Sequence, residues 1–246
     1  MRFADPLSVK AKSLRVRIFF VASQRQGTRP TQEDYFANYN DECFAIADGV
    51  GGLPNGDVAS RLACETALWA YRHVRTRPYY WDDKRLFLKR IFRTTNITLW
   101  QKQREIGFEE GFATTLITLL IGERSFWAGG VGDSRIYHLG GTGKLASLFP
   151  DDVDPSGKLT NALGISRYGL VPHVVAKPLS HNDVLLLATD GISRYIDEKV
   201  LAKQLAMCGE TTQSLTSAVE EILRGAERNG STDNMTAILI KRIFSS

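Results

Sequence analysis

Soft metal ligands are scarce in this 246-residue chain, which carries three cysteines and four histidines. Cys43, Cys64 and Cys208 are an odd number, and none belongs to a Cys-x-x-Cys pair. That argues against a disulfide framework and a thiolate zinc site, and the cysteines read as small buried hydrophobes in a reducing cytoplasm. Long apolar runs are also lacking. Residues 18–22 are too few for the apolar core of a signal peptide, and no stretch approaches the roughly 18 apolar residues of a membrane span. A P-loop is absent, because "GGTGKL" has Leu145 where Ser or Thr is needed and His138 where the first glycine is needed. "GGVGDS" lacks the third glycine of a dinucleotide fingerprint. Internal repeats, low-complexity tracts and linkers are missing too.

What remains is an ordinary globular composition, 43% hydrophobic and 24% charged, with a net charge of +4. Ten of the Lys and Arg residues fall between Arg72 and Arg104. They interleave with Leu86, Leu88, Ile91, Phe92 and Leu99, which is the pattern of the wet side of an amphipathic helix rather than of a nucleic-acid groove. Strands are expected over 15–23, 35–40 and 43–48. Helices are expected over 57–77, with Val58, Leu62, Thr66 and Trp69 on one face, and over 82–104. Strands follow at 112–122, 124–133 and 135–141, then a turn-rich stretch over 140–170. Strands at 173–179 and 183–190, helices at 197–207 and 212–228, and a strand at 234–243 complete the chain. Strands and helices are segregated, which disfavours a doubly wound parallel sheet. An α+β sandwich of sheets with helices outside, in one domain over 1–246, is the expectation.

The apolar run "FAIADGVGG" ends on Asp48, followed by Gly49, Gly51 and Gly52. The same device recurs. "FWAGGVGD" ends on Asp133, "VLLLATDG" on Asp190, "GSTDN" puts Asp233 before a strand, and "QED" puts Glu33 and Asp34 before another. One Asp at a strand end is a turn former. Six carboxylates at strand ends, two of them followed by glycine after nearly unbroken apolar runs, are poorly explained that way. Clustered carboxylates resist burial unless a cation compensates them, and all-oxygen donors select hard ions such as Mg²⁺ and Mn²⁺. Glycine after Asp48 removes bulk and lets the backbone carbonyl approach such an ion.

The ordered set "RPTQED", "ADGVGG", "FATTL", "VGDSRIY", "TDGIS" and "STDNMTAILI" resembles the PPM, or type 2C, metal-dependent serine/threonine protein phosphatases of bacterial type. The likeness runs from about residue 21 to 242. It implies a four-layer α-β-β-α sandwich of two mostly antiparallel sheets with two Mn²⁺ or Mg²⁺ ions where the sheets meet. On the resemblance, Asp48 bridges both ions, Glu33 and the Gly49 carbonyl serve one, and Asp190 and Asp233 serve the other. Asp34 holds metal-bound water, and Arg29 binds the substrate phosphate. Asp133 corresponds to a ligand of a third, weaker ion, and Asn234 follows Asp233 as in the family pattern. The implied reaction is hydrolysis of phosphoserine or phosphothreonine by a hydroxide held between the ions. The implied setting is a cytoplasmic monomer in bacterial signalling, reversing a cognate serine/threonine kinase.

The chain departs from the pattern in three places. Gln32 stands for the usual Asn, Val50 stands where some eukaryotic members carry a histidine, and the flap region over 140–170 is shortened. Asp151, Asp152 and Asp154 in that region read as loop acids. A haloacid-dehalogenase-type phosphatase needs an Asp two residues before the second Asp, where this chain has Ile46 or Ala188. The other alternative, a catalytically silent phosphoprotein-binding module on the same fold, typically loses metal ligands. Here Glu33, Asp48, Asp190, Asp233 and Arg29 are all kept.

Overall fold

The computed structural model describes residues 15–78, 83–108 and 111–245. Among the described residues, ten strands form two five-stranded sheets, and every pairing is antiparallel. In the first sheet the order is β1 (Arg15–Arg25), β10 (Met235–Ser245), β9 (Val184–Ala188), β6 (Arg135–Leu139) and β7 (Leu145–Ser147). The second holds β2 (Asp34–Tyr39), β3 (Cys43–Asp48), β4 (Leu116–Ile121), β5 (Ser125–Val131) and β8 (His173–Pro178). The helices among the described residues are α1 (Gly56–Val74), α2 (Lys84–Lys102), the single-turn α3 (Asp190–Ser193), α4 (Glu198–Ala206) and α5 (Thr212–Arg228).

Three apolar layers make the four-layer α-β-β-α sandwich. Phe44, Ile46, Ile117, Leu185, Leu187 and Ile238 fill the space between the sheets. Cys43, Ala45 and Ala47 point the other way, into a layer shared with α1 and α2. Leu186 and Ala188 point outward against a layer that includes Leu215, Val219 and Ile222 of α5. Strands with helices on one face and a second sheet on the other are buried on both sides. That is why β3 and β9 read as continuous apolar runs instead of alternating.

Helix α1 buries a different stripe from the one expected. Ala59, Ala63, Cys64, Ala67 and Ala70 face the second sheet, whereas Val58, Leu62 and Thr66 flank the contact and Trp69 is 60% exposed. Small side chains let the helix lie close on β2 and β3, and this outweighs the larger apolar residues one position away. In α2, Phe87, Leu88, Ile91, Phe92 and Leu99 are buried, while Lys89, Arg90 and Arg93 are exposed, as the basic pattern implied; Leu86 lies on the wet side. The side chain of Asp83 caps α2 by accepting from the Leu86 N–H at 3.0 Å. The expected helix start at Asp82 falls outside the described residues. Both β7 and α3 are too short to leave a periodic signal. All three cysteines are buried and free, and no described helix is long and apolar enough to cross a membrane.

The topology brings five chain positions to one end of the sandwich. There β3 ends at Asp48 in register with Asp34, the first residue of β2. β5 ends two residues before Asp133, β9 ends two before Asp190, and β10 starts two after Asp233. The inter-sheet layer carries this convergence, so Ile46→Ala, at a fully buried position, should destabilise the protein by about 2–5 kcal/mol. Urea unfolding in chelator measures this. A loss below about 1 kcal/mol would mean that the sheets are not held together by this layer.

Candidate metal centre

Glu33, Asp48, Asp133, Asp190 and Asp233 line one cleft of about 520 Å³, together with Gly49, Val50, Arg29 and Arg194. Asp34 lies just behind it, 3% exposed. The structure thus gathers every acid that the sequence singled out at strand ends.

Backbone contacts fix the acids from several sides. The two threonines of "FATTL" clamp Asp48. Thr115 Oγ1 accepts from the Asp48 N–H at 3.0 Å, and the Thr114 hydroxyl donates to the Asp48 carbonyl at 2.8 Å. Gly49 N–H donates to the Glu33 carbonyl at 3.1 Å. A Cβ on Gly49 would lie 2.5 Å from the Gly56 carbonyl oxygen, and one on Gly56 2.9 Å from the Glu33 carboxyl carbon. Gly49 and Gly56 are therefore needed where the β3 turn, the start of α1 and Glu33 crowd together. Asn234 buckles the opposite side. Its Oδ1 accepts from Glu33 N–H at 2.8 Å, and its Nδ2 donates to the carbonyls of Gln26 and Thr31 at 2.8 and 3.0 Å. A Cβ on Gly191 would lie 2.1 Å from the Asn234 carbonyl oxygen, so the Asp190 turn seats directly on the Asp233 loop. Asn234 was legible only as a motif neighbour of Asp233; its role as buckle depends on contacts some two hundred residues away. Gln32 Oε1 accepts from the Asp34 N–H at 3.1 Å.

The electrostatics are those of an acid cluster under compression. Burial pushes the Asp34 carboxyl up to about 7, against hydrogen bonds from Thr236 and Thr189 and with repulsion from Asp190 and Asp233. Those hydroxyls donate to Oδ2 at 2.7 and 2.8 Å, while Oδ1 is buried without a partner. Burial also raises Asp48 well above the carboxylate range, with Asp34 and Asp190 adding to it. Its side chain is partly open to the cleft, yet its surroundings are protein and other acids, so the upward direction holds. Asp190 is raised by burial and by Asp133, and it lies within hydrogen-bond reach of Asp48. Glu33 is raised by burial and by Asp57.

No three His, Cys, Asp or Glu side chains among the described residues already converge as a closed cage. Two arginines lie among the acids instead. Arg29 Nη2 is 2.6 Å from Asp233 Oδ2, and the Arg194 guanidinium contacts both Asp190 and Asp133. The residues still fit hard divalent ions. Every acid donor in the cleft is oxygen, the upward shifts mark a shortage of positive charge, and Asp34 Oδ1 is an orphaned buried acceptor. The loop acids are occupied elsewhere. Asp151 holds Arg135 through contacts of 2.8 and 2.6 Å, Asp152 accepts from Gly132 N–H, Asn161 and His173, and Asp154 Oδ1 caps the turn at Ser156 and Lys158.

The raised carboxyls fix the sign of the pH dependence. Folded Asp34, near 7, keeps its proton where an unfolded Asp, near ~3.9, has lost it. The folded state then binds more protons between those values, and stability falls as pH rises. In chelator the melting temperature should therefore drop from pH 5 to pH 8, and Mn²⁺ should flatten the drop by supplying the missing charge. A melting temperature that rises across this window in chelator would contradict the compressed cluster.

A family model described as "Protein phosphatase 2C" matches residues 22–240. "Serine/threonine phosphatase stp" of Listeria monocytogenes serotype 4b (strain F2365) is 24% identical over 223 residues, which is 82% of this chain and 85% of that one. The crystal structure of the catalytic domain of the serine/threonine protein phosphatase PstP, in complex with two manganese ions, superposes with a TM-score of 0.75 at 25% identity. That match covers 93% of this chain and 100% of the other. PppA, described as a key regulatory component of the type VI secretion system in Pseudomonas aeruginosa, shares the fold with a TM-score of 0.75 at 22% identity, over 92% of this chain and 98% of PppA.

Proposed function

The chain belongs to the protein phosphatase 2C family, and from that premise we propose that it is a metal-dependent phosphatase of phosphoserine and phosphothreonine on proteins. The observation that carries the reading is the convergence of Glu33, Asp48, Asp190 and Asp233 on one cleft with Arg29 among them. Asp48, Glu33 with the Gly49 carbonyl, and Asp190 with Asp233 are the groups that would hold two Mn²⁺ or Mg²⁺ ions. When bound, a pair of divalent ions supplies Lewis acidity and brings the pKa of water toward neutrality.

The protein's own groups do the rest. Arg29, nearly half-exposed and paired on one edge with Asp233, presents the remaining N–H groups of a planar fork to phosphate oxygens, which suits phosphate better than a lysine would. Asp34, behind Asp48 and hydrogen-bonded through Thr189 and Thr236, is the group that would hold and orient the attacking water. No side chain is required as a covalent nucleophile, and Val50 at the cleft wall offers no proton, so the leaving serine oxygen is protonated by water or by another group. A silent binding module is disfavoured because nothing in the acid set has been lost.

The substrates would be made by a serine/threonine kinase, since only a kinase installs the ester this site hydrolyses. A monomeric catalytic domain spanning the chain is part of this reading. The three free, buried cysteines suit a reducing compartment such as the bacterial cytoplasm.

Activity on p-nitrophenyl phosphate and on phosphopeptides should require Mn²⁺ or Mg²⁺ and vanish with EDTA. Full turnover after exhaustive chelation would sink the two-ion reading. Asp48→Asn should lower kcat by about a thousandfold, or ~4 kcal/mol of transition-state stabilisation. Arg29→Ala should raise KM for phosphopeptides and lower kcat, because its fork meets phosphate before and during the transfer. Wild-type kinetics in that variant would place Arg29 outside the reaction.

A further inference from the structure

Arg194 is a cation that the metal reading leaves without a task. It follows Asp190 by one helical turn, at the end of α3. Its Nε lies 3.2 Å from Asp190 Oδ2, and its Nη2 donates to Asp133 Oδ2. One guanidinium therefore spans two acids, one in the β5–β6 turn and one at the start of α3. Asp133 needs such a partner, because it is only 4% exposed, and a buried carboxylate is costly unless it is paired. The nearest alternative cation in sequence is taken: Arg135 contacts Asp151 through both Nε and Nη2. The fork geometry is what a two-acid bridge requires, and a point-charge ammonium supplies it poorly. Arg194 reaches the pair from the open side, with 46% of its side chain exposed, and it lines the same cleft as the core acids.

We propose that Arg194 is a built-in cation bridging Asp133 and Asp190 in the place where the sequence resemblance implies a third metal ion, so that the site holds two ions and no third. The inference rests on the two-ion reading above. A further divalent ion at Asp133 would have to displace the guanidinium or accept its like charge at contact distance. Arg194 is thus a positioning residue. It holds Asp190 at the correct edge of the cleft and neutralises Asp133, which no other described cation reaches through a salt bridge.

Manganese counting on the purified full chain, by equilibrium dialysis and electron paramagnetic resonance, tests this beside melting curves in EDTA. Wild type should bind two Mn²⁺, and Asp133→Ala should still bind two. Arg194→Ala should gain a weaker third Mn²⁺, and in EDTA it should melt lower by about 3 °C or more, because two acids then face each other unpaired. Arg194→Lys keeps the charge but not the two-acid fork, so it should still bind two Mn²⁺ and melt below wild type in EDTA, an outcome that tests the proposal even if Arg194→Ala fails to fold. A third Mn²⁺ in wild type that Asp133→Ala removes would overturn the proposal. So would a folded Arg194→Ala protein whose metal count and melting in EDTA both match wild type. Wild type binding no Mn²⁺ would instead overturn the two-ion reading itself.

Discussion

Repulsion among carboxylates at the end of two facing sheets is the constraint on which this structure turns. Asp34 and Asp48 close one register pair in the second sheet, while Asp190 and Asp233 flank β9 and β10 in the first. Left to themselves, these groups would splay apart or take up protons. What keeps them together is neutral, being hydroxyl and amide side chains that grip the backbone around the acids and backbone packed closely on glycines. The threonine clamp on Asp48, the Asn234 buckle and the glycine contacts at Gly49, Gly56 and Gly191 act together. The apolar layers on both faces of β3 and β9 make those strand ends rigid enough to carry such a load.

Compression of this kind is useful only if positive charge can be supplied. The protein supplies part of it, through Arg29 on Asp233 and Arg194 on Asp190 and Asp133. The Arg29 pair is half-exposed, and such pairing is weak compared with coordination of a divalent ion by several carboxylates at once. The remainder is seen in the raised pKa values of Asp34, Asp48, Asp190 and Glu33. A cluster that holds protons where ordinary carboxylates hold none is an electrostatic demand for Mn²⁺ or Mg²⁺.

Much of this was legible in the sequence, for identifiable reasons. β3 and β9 announce themselves because strands buried on both faces have no polar alternation, and their terminal acids stand out against the apolar run. The six motifs in order carried the family and, with it, the layer architecture. The stripe on α1 misled because periodicity reports apolar size, whereas close helix–sheet packing selects alanines one position away. The single-turn α3 and the three-residue β7 are below any periodic signal. Asn234 and Arg194 were hidden for a different reason. Asn234 acts across about two hundred residues of chain, and no local pattern encodes that. Arg194 did leave a trace, the Asp–Arg spacing of one helical turn after "ATDG", but without α3 that spacing had no meaning. The acids were read as the site's chemistry, whereas the residues that hold them were found only in the folded chain.

Diffraction at the manganese absorption edge from crystals grown in Mn²⁺ addresses the central claim most directly. Two anomalous peaks should flank the Asp48 carboxylate, with Glu33 and the Gly49 carbonyl at one and Asp190 and Asp233 at the other. A single peak away from Asp48, or peaks that leave the Asp48 carboxylate without a metal neighbour, would contradict the reading of this cleft as a two-ion phosphatase centre.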